Sequence, residues 1–295
     1  MEKEVITIYC IIDDTLKIVG IKDDPQAKMS SSEILTTATI ACMYFGGNFR
    51  NALSFMSNYC SYILHESRFH RRLKAINEKF PYIFEIIIQI IKQIPLSDIE
   101  EYSIDTFPIK ICENIRANRC KIAPSKEFRG YIASKKTYFH GLKLHIVASN
   151  RGYIREFLIT PGSVHDIQGL YELPLNTEED SILYADRGYN DYLAEDLLNE
   201  IEGIKLMPIR KKNSKRLKPY EQFISKVNRR FIETIGSCIN ALFPKKIHAV
   251  TLEGFIMKIR LFVLSYNNPT CHLKKIPPET DFYYLYSGGK QWKKK

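Results

Sequence analysis

The sequence predicts a mixed α/β sheet flanked by helices and preceded by a smaller all-helical N-terminal domain. Two observations support this fold class. Residues before about 100 hold helix-start signals and apolar stretches of helical length, whereas later residues hold short strand-like segments that then alternate with amphipathic helices. A length of 295 residues suits one large domain and one small one. We therefore expect a helical domain over residues 1–98, an α/β domain over 99–270 and a basic C-terminal tail over 271–295.

The N-terminal domain is expected to contain a series of helices. Ser30 and Glu33 have the spacing of a capping box, which predicts that a helix begins there. A Gly-Gly-Asn turn separates it from a second helix over 48–59, and a third helix in HESRFHRRLKAINEKF carries Arg71 and Arg72. This order suggests a helix-turn-helix-like module that binds DNA through the basic helix. A helical bundle whose last helix exposes a solvated basic face is the alternative.

The α/β domain is expected to begin with three strands. EYSIDTFPI and YIREFLIT are strand candidates, and HGLKLHIVAS between them is a third. Its alternation gives one face of Leu142, Leu144, Ile146 and Ala148 and an opposite face of Lys143, His145 and Val147. After these come a short helix in HDIQGLYEL, a buried strand in SILYA, an amphipathic helix in NDYLAEDLLNEI and a strand in IKLMPIR. A long helix follows from about Tyr220 to Leu242. Three strands followed by alternating helices and strands indicate a mixed sheet with helices packed on it.

The charge balance favours a polyanionic partner. Lys and Arg number 43 against 33 Asp and Glu, which gives a net charge of +10 and a pI of about 9.1. Nucleic acid is the first polyanion to consider, although a merely basic cytosolic enzyme fits the charge equally well. The run PIRKKNSKRLKP contains no acid, and we expect it to contact phosphates. Its basic residues are Arg210, Lys211, Lys212, Lys215, Arg216 and Lys218.

The cysteines predict reduced thiols in a cytosolic protein. Seven of them are scattered along the chain with no CxxC motif and no Cys/His cluster, so neither a zinc site nor a disulfide framework is expected. The N-terminal segment MEKEVITIYC is too weakly apolar for a signal peptide. The most apolar stretch, YIFEIIIQIIKQI, is broken by Glu85, Gln89 and Lys92, which predicts a buried helix rather than a membrane span. No membrane association is expected.

Three acids are placed as a sheet-based metal site requires. Asp105 lies inside an apolar strand, Asp186 follows the buried strand SILYA at the edge where α/β sheets bind ligands, and Glu233 lies on the long helix. A carboxylate in an apolar strand is costly unless it is paired or binds a metal. Taken singly, each acid is better explained as a strand-end or surface carboxylate. Taken together, the three could hold Mg²⁺ or Mn²⁺, which prefer oxygen ligands, for phosphodiester chemistry.

Two patterns near these acids have ordinary explanations. Arg229 stands four residues before Glu233, and on spacing alone this is better explained as a surface ion pair than as part of a site. His165 and Asp166 form an HD pair, but the additional His and Asp ligands that an HD-type phosphohydrolase requires are not found in the sequence.

Six segments, in this order, resemble the DDE transposases of bacterial insertion sequences, and in particular the group numbered nine-eight-two. They are SIDTFPI, FRGYIASKKTYFHGLKLH, PGSVHD, YADRGY, PIRKKNSK and RRFIETIGS. The resemblance covers most of the chain and is strongest from about 100 to 265. It implies an RNase H-like catalytic domain over 99–270 in which Asp105, Asp186 and Glu233 are the catalytic residues. It also implies that these acids bind two Mg²⁺ ions, with Mn²⁺ as a substitute.

The activity that the resemblance implies is transposition. A phosphodiester is hydrolysed at each end of the insertion element, and the freed 3′-hydroxyl then attacks target DNA. The implied partners are double-stranded DNA, as terminal inverted repeats and as target, and a second copy of the chain on that DNA. The implied location is the cytoplasm of a bacterium, at the nucleoid. A catalytically inactive DNA-binding descendant and an RNase H-like nuclease without strand transfer are the alternatives.

The resemblance also implies roles around the acids. His165 and Asp166 are expected to lie around the metal ligands. Related transposases often have a Tyr, Arg, Glu, Lys series around the last acid, and here Arg229 matches the Arg, whereas Lys226 and Asn240 replace the Tyr and the Lys. Residues expected to bind DNA are Arg71, Arg72, Lys143, His145, Arg187, Arg210, Lys211, Lys212, Lys215, Arg229 and Arg230.

Overall fold

The N-terminal region of the computed structural model, which describes residues 2–92, 101–150, 152–175, 177 and 180–268, is helical. Its helices are α1 (Glu2–Val19), α2 (Ser31–Tyr44), α3 (Phe49–Met56), α4 (Glu66–Lys79) and α5 (Ile83–Lys92). The capping box is confirmed, because the Ser30 hydroxyl accepts from the Glu33 backbone N–H at 3.1 Å and the Glu33 carboxylate accepts from the Ser30 N–H at 2.6 Å. The apolar stretch after Tyr82 forms α5, as expected. None of the described helices is long and apolar enough to cross a membrane.

The rest of the described chain forms a sheet and four further helices. The strands are β1 (Glu101–Cys112), β2 (Arg129–Ile132), β3 (Thr137–Ser149), β4 (Ile154–Pro161), β5 (Ile182–Ala185) and β6 (Lys205–Pro208). The helices are α6 (Asp166–Glu172), α7 (Tyr192–Glu202), α8 (Pro219–Leu242) and α9 (Leu252–Asn267). Every strand and helix expected after residue 100 is confirmed. The short β2 and the helix α9 were not predicted as elements.

The strand order confirms the RNase H-like mixed sheet. Apart from β2, the order is β4-β3-β1-β5-β6, in which β3 is antiparallel to both β4 and β1. The strands β5 and β6 run parallel to β1. The short β2 pairs with the first residues of β3, beyond the end of β4. The carboxyl end of β5 therefore lies beside the middle of β1, next to Ile104 and Asp105, and β1 continues past it to Cys112.

Helices cover both faces of the sheet, as the side-chain alternation requires. Tyr102 and Ile104 of β1 share a core with Leu170 of α6 and Ala194 of α7. On the opposite face, Ile146 of β3 belongs to a second core that includes residues of α8. Leu142, Leu144 and Ala148 belong to this second core too, so the alternation expected in β3 is confirmed.

The N-terminal helices share this second core with the sheet rather than forming a core apart from it. The Ser265 hydroxyl of α9 donates to the Thr39 carbonyl of α2 at 3.1 Å, and Arg260 of α9 pairs with Glu85 of α5 at 3.1 Å. The side chain of Asn267 bonds both backbone groups of Ile154 at the start of β4. Helix α9 thus joins the helical region to the sheet. The expected boundary at 98/99 and the tail 271–295 lie outside the described residues.

Candidate active site at the sheet edge

Asp105 and Asp186 are brought side by side by the register of β1 and β5. Ser103 pairs with Tyr184 in the parallel ladder, and the same register continued by two residues sets Asp105 beside Asp186. Adjacent strands lie ~4.8 Å apart, so the two carboxylates are neighbours. Both carboxylates also point to the same face of the sheet. The Tyr184 hydroxyl donates to Glu101 of β1 at 3.1 Å, so these two side chains share a face. Asp186 lies two residues after Tyr184 and Asp105 four residues after Glu101, and side chains an even number of residues apart on a strand point to the same face.

Each aspartate accepts a hydrogen bond from the backbone of the residue that follows it. The Thr106 N–H donates to Asp105 at 2.8 Å, and the Arg187 N–H donates to Asp186 at 2.6 Å. Asp186 thereby caps a 3₁₀ turn over Arg187–Tyr189. Both carboxylates are half-buried, whereas the Arg187 side chain is exposed. The arginine next to Asp186 therefore contacts it through the main chain, and its guanidinium is left to solvent.

Helix α8 crosses the face to which both aspartates point. Near its middle the Asn228 amide donates to Glu101 of β1 at 2.8 Å. Two turns later Gly236 lies so close to Phe107 of β1 that a Cβ at this glycine would be 1.9 Å from a ring carbon. Glu233 lies between these two contacts, and Asp105 lies between Glu101 and Phe107. Glu233 is therefore carried by the part of α8 that packs on β1 around Asp105, and it is exposed.

A buried chain of hydrogen bonds fixes the turn that follows Asp186. The hydroxyl of Tyr189 lies 2.7 Å from the Thr106 hydroxyl, which lies 3.0 Å from Nδ1 of His145. Nε2 of His145 lies 2.9 Å from the Thr160 hydroxyl. These hydrogen bonds connect the turn after β5 to β1, β3 and β4, close to both aspartates. Sequence reasoning missed Tyr189, although it stands inside the quoted motif YADRGY.

Two pKa shifts describe this buried chain. Burial raises the pKa of Tyr189 well above its ordinary value, and the nearby charges of Asp166, Asp105 and Asp186 raise it further. Burial lowers the pKa of His145 to about 4, with Asp166 opposing the shift and Lys143 adding to it. Both side chains are therefore neutral at physiological pH. They act as hydrogen-bonding supports rather than as charges.

Asp166 approaches the same turn from α6. Its carboxylate accepts from Lys143 at 2.9 Å, and Lys143 also donates to the Val164 carbonyl at 2.7 Å. A Cβ at Gly188 would lie 3.2 Å from the Asp166 carboxylate, so the turn packs directly on this pair. Asp166 thus lies beside the site, whereas His165 is exposed at the start of α6.

Three residues expected to bind DNA are largely buried and already bonded to other protein groups. His145 is fully buried, with both ring nitrogens engaged, and this position does not fit a phosphate contact. The side chain of Arg210 is only 8% exposed and pairs with Glu195 at 2.7 Å. Lys143 is only 14% exposed at its side chain and is held by Asp166. Neither the histidine nor the arginine could be recognised as buried from sequence, because their partners come from other elements.

The remaining candidates for DNA contact are mostly at the surface. Arg72 pairs with Asp23 at 3.3 Å, and Arg216 pairs with Asp196 at 2.8 Å. Arg229 and Arg230 lie on α8, and their side chains are outside the described part of the structure. The exposed candidates are Arg71, Arg187, Lys211, Lys212 and Lys215, together with Arg216 and Lys218 of the same basic run.

The donors at the edge are the oxygen ligands that Mg²⁺ prefers. Among the described residues, Asp105, Asp186 and Glu233 do not form a set whose ligand atoms all lie within 4.8 Å of one another. The three acids are therefore spread along the edge. The set that does meet this distance is Cys112, Cys120 and His140. This cluster does not appear as a motif in the sequence, because Cys112 and His140 meet through the pairing of β1 with β3 and Cys120 reaches them from the loop after β1.

Fold and site together define an RNase H-like protein with two strand aspartates and one helix glutamate at the sheet edge. The family described as "Transposase DDE domain" matches residues 97–247, just over half of the chain. The chain therefore belongs to the transposase DDE domain family. No curated protein matches the chain.

One similar solved structure is a cryo-EM structure of a piggyBac transposase synaptic complex with hairpin DNA. It shares 11% sequence identity with this chain at a TM-score of 0.45, and the match covers 96% of this chain and 82% of that one. The fold assignment rests on the strand order and register described above rather than on this likeness.

Proposed function

We propose that this chain is a DNA transposase of the insertion-sequence group numbered nine-eight-two. In this proposal it cuts a phosphodiester at each end of its own element and joins the freed ends to target DNA. The observation that supports this most directly is that Asp105 and Asp186 lie on neighbouring strands and that α8, which carries Glu233, packs on the same face, within a chain that belongs to the transposase DDE domain family. Their carboxylates would hold two Mg²⁺ ions, with Mn²⁺ as a substitute.

The chemistry assigned to the edge has two steps. Water first attacks the phosphodiester at the element end, and the bond to the 3′ oxygen breaks to leave a 3′-hydroxyl. That hydroxyl then attacks a target phosphodiester, and the displaced target oxygen leaves as a new 3′-hydroxyl. Bound Mg²⁺ supplies activation of the attacking oxygen and stabilisation of the leaving one. No covalent bond to protein is needed.

The chain's own residues prepare the edge for this chemistry. Thr106 and Arg187 orient the two aspartates through their backbone N–H groups. The buried Tyr189 ties the turn after Asp186 to β1, so the spacing of the two aspartates is fixed before DNA arrives. Such preorganisation lowers the cost of reaching the transition state. The openness of the edge suits a duplex end better than a small molecule.

The partners follow from charge and from the task. A net charge of +10 and the exposed Lys211, Lys212 and Lys215 support binding to double-stranded DNA, both terminal inverted repeats and target. Because two element ends must be held together, we propose that two copies of the chain assemble on the DNA. We place this activity in the bacterial cytoplasm, at the nucleoid.

The test is a cleavage and joining assay. Purified protein is incubated with end-labelled DNA that bears the repeats flanking its gene, together with a supercoiled target, in Mg²⁺, Mn²⁺ or EDTA. We expect nicks at the element end and joined products in Mg²⁺ and Mn²⁺ only. Binding without cleavage in either metal would identify an inactive descendant, and nicking without joined products would identify a nuclease.

The basic loop after β6 gives a second expected result. Replacing Lys211 and Lys212 with Ala should weaken DNA binding and lower the slope of log affinity against log salt by roughly two units, because each phosphate contact releases about one counterion. The slope is measured by fluorescence anisotropy between low and moderate salt.

The matched control for this loop removes two lysines elsewhere. Lys3 and Lys17 are exposed on α1, and replacing both with Ala changes the net charge by the same amount. We expect this control to keep the salt slope of the unmodified chain. Equal slopes for both double variants would show that Lys211 and Lys212 face solvent in the complex.

A further inference from the structure

A cluster of soft metal ligands lies at the end of the β1–β3 ribbon, away from the acidic edge. Cys112 ends β1, Cys120 follows a 3₁₀ turn over Asn114–Arg119, and His140 lies on β3. One ligand atom from each lies within 4.8 Å of the other two. We propose that Cys112, Cys120 and His140 bind a structural Zn²⁺ ion that holds the loop between β1 and β2 against the sheet.

A β-bulge creates this arrangement. Lys110 of β1 pairs with Gly141 of β3, and the next pair is Cys112 with His140. Between these two pairs β1 advances by two residues, whereas β3 advances by only one. The extra residue re-aims the end of β1, as bulges do. Cys112 and His140 therefore become direct cross-strand partners, whose Cβ atoms typically lie about 5 Å apart. Without the bulge, Cys112 would lie opposite Phe139 and its thiol would point to the other face.

The histidine is held in the tautomer that metal binding requires. Nε2 of His140 lies 2.9 Å from the carbonyl oxygen of Ala123. Because a carbonyl only accepts, Nε2 must carry the proton, and Nδ1 is left with its lone pair. Metal-bound histidines commonly donate their other ring N–H to a backbone carbonyl in this way. The residue is 4% exposed, so packing holds this orientation as well.

The donor set selects zinc rather than magnesium. Two thiolates and one imidazole are soft and borderline ligands that suit Zn²⁺, whereas Mg²⁺ requires oxygen. Cys112 stands seven residues beyond Asp105 on β1, ~23 Å along an extended strand, so the site is separate from the acidic edge. Both cysteines are half-buried free thiols, so solvent can supply a fourth, water ligand. The proposal does not depend on the proposed function.

The ion would order a loop that has little regular structure. Residues 113–128 contain two short 3₁₀ turns between β1 and β2. One contact that anchors the loop to β3 is the Asn114 amide, which donates to the Tyr138 carbonyl at 2.6 Å. A metal that links Cys120 to two strands would close the loop at its middle. The loop would then present its basic side chains in a fixed arrangement: Arg116, Arg119, Lys121 and Lys126.

Metal content is the first test. Tag-free protein purified without chelator should contain about one zinc ion per chain by inductively coupled plasma mass spectrometry. Cys112→Ser and Cys120→Ser should each reduce this severalfold. Cys10→Ser, which removes an exposed thiol outside the cluster, should keep it. Zinc-free protein, zinc that survives both cluster variants, or a Cys112–Cys120 disulfide found by peptide mapping would overturn the proposal.

Limited trypsin digestion tests the unmodified chain, so it does not depend on whether a variant folds. Protein stripped with a chelator receives Zn²⁺ or Mg²⁺ before digestion, and cleavage after Arg116, Arg119 and Lys121 is followed by mass spectrometry. We expect Zn²⁺ to slow cleavage at these sites by roughly tenfold or more, because binding stabilises the ordered loop by mass action. Mg²⁺ should have no effect. Equal cleavage with and without Zn²⁺ would contradict a structural site here.

Discussion

Replacing Asp105 or Asp186 with Asn, or Glu233 with Gln, should each reduce end cleavage by at least about 10³-fold, because each change would remove one of the proposed ligands of the ions that stabilise the reacting oxygens. Affinity for element-end DNA should stay within about threefold, since most of it comes from phosphate contacts made elsewhere. Cleavage is measured as the single-turnover nicking rate in Mg²⁺, and affinity by fluorescence anisotropy.

Thermal unfolding separates a catalytic from a structural role for these acids. Asp105 and Asp186 lie side by side, so removing one charge relieves repulsion between like charges. We expect either Asn variant to keep or raise the Tm while losing activity. Glu200→Gln and Asp14→Asn, which alter exposed acids on α7 and α1, should keep both Tm and cleavage. Cleavage that persists in all three site variants would refute the assignment.

Gly236→Ala should displace the helix that carries Glu233. The added Cβ would lie 1.9 Å from the Phe107 ring, so α8 must move away from β1. Such overpacking typically costs about 1–3 kcal/mol of stability. Misplacing a catalytic group by about 1 Å can lower the rate on the order of 10²-fold. We therefore expect a lower Tm and a nicking rate that is at least about tenfold slower.

A double variant gives this second prediction its control. Phe107→Leu removes the ring atoms that the new Cβ would meet, so Gly236→Ala combined with Phe107→Leu should recover much of the lost rate. Ser237→Ala changes the exposed neighbouring position on α8 and controls for the helix propensity that alanine adds. A Gly236→Ala protein as stable and active as the unmodified chain would mean that α8 is not seated on Phe107.

Most of the elements could be predicted from the sequence, because each depends on a local pattern, and the catalytic role of the three acids stays a prediction. Alternation placed the apolar side chains of β3, and helix period placed α8. Asp105 could be singled out because a charge inside an apolar strand needs a chemical reason. The closeness of Asp105 and Asp186 depends on a parallel register, which the strands alone do not specify.

The parts that could not be predicted depend on contacts between distant segments. Arg210 stands in a run of cations, yet Glu195 on α7 buries it in an ion pair. His145 sits on the face of β3 that α6 covers, where Gly169 leaves just enough room for its ring. Cys112 and His140 meet only because of one extra residue in β1. Each outcome is decided by tertiary packing that overrides the local signal.

The core shared by the N-terminal helices, α9 and the sheet makes the cooperative folding unit larger than the segment that identifies the family. A fragment limited to residues 97–247 would lack the N-terminal helices and α9. It would leave Leu142, Leu144, Ile146 and other apolar side chains of that face partly uncovered. Because a domain folds when its apolar faces are covered, the helices that precede and follow the matched segment act as part of the catalytic scaffold. The N-terminal helices and the sheet edge that is proposed to carry the chemistry would then lose their structure together as the protein unfolds.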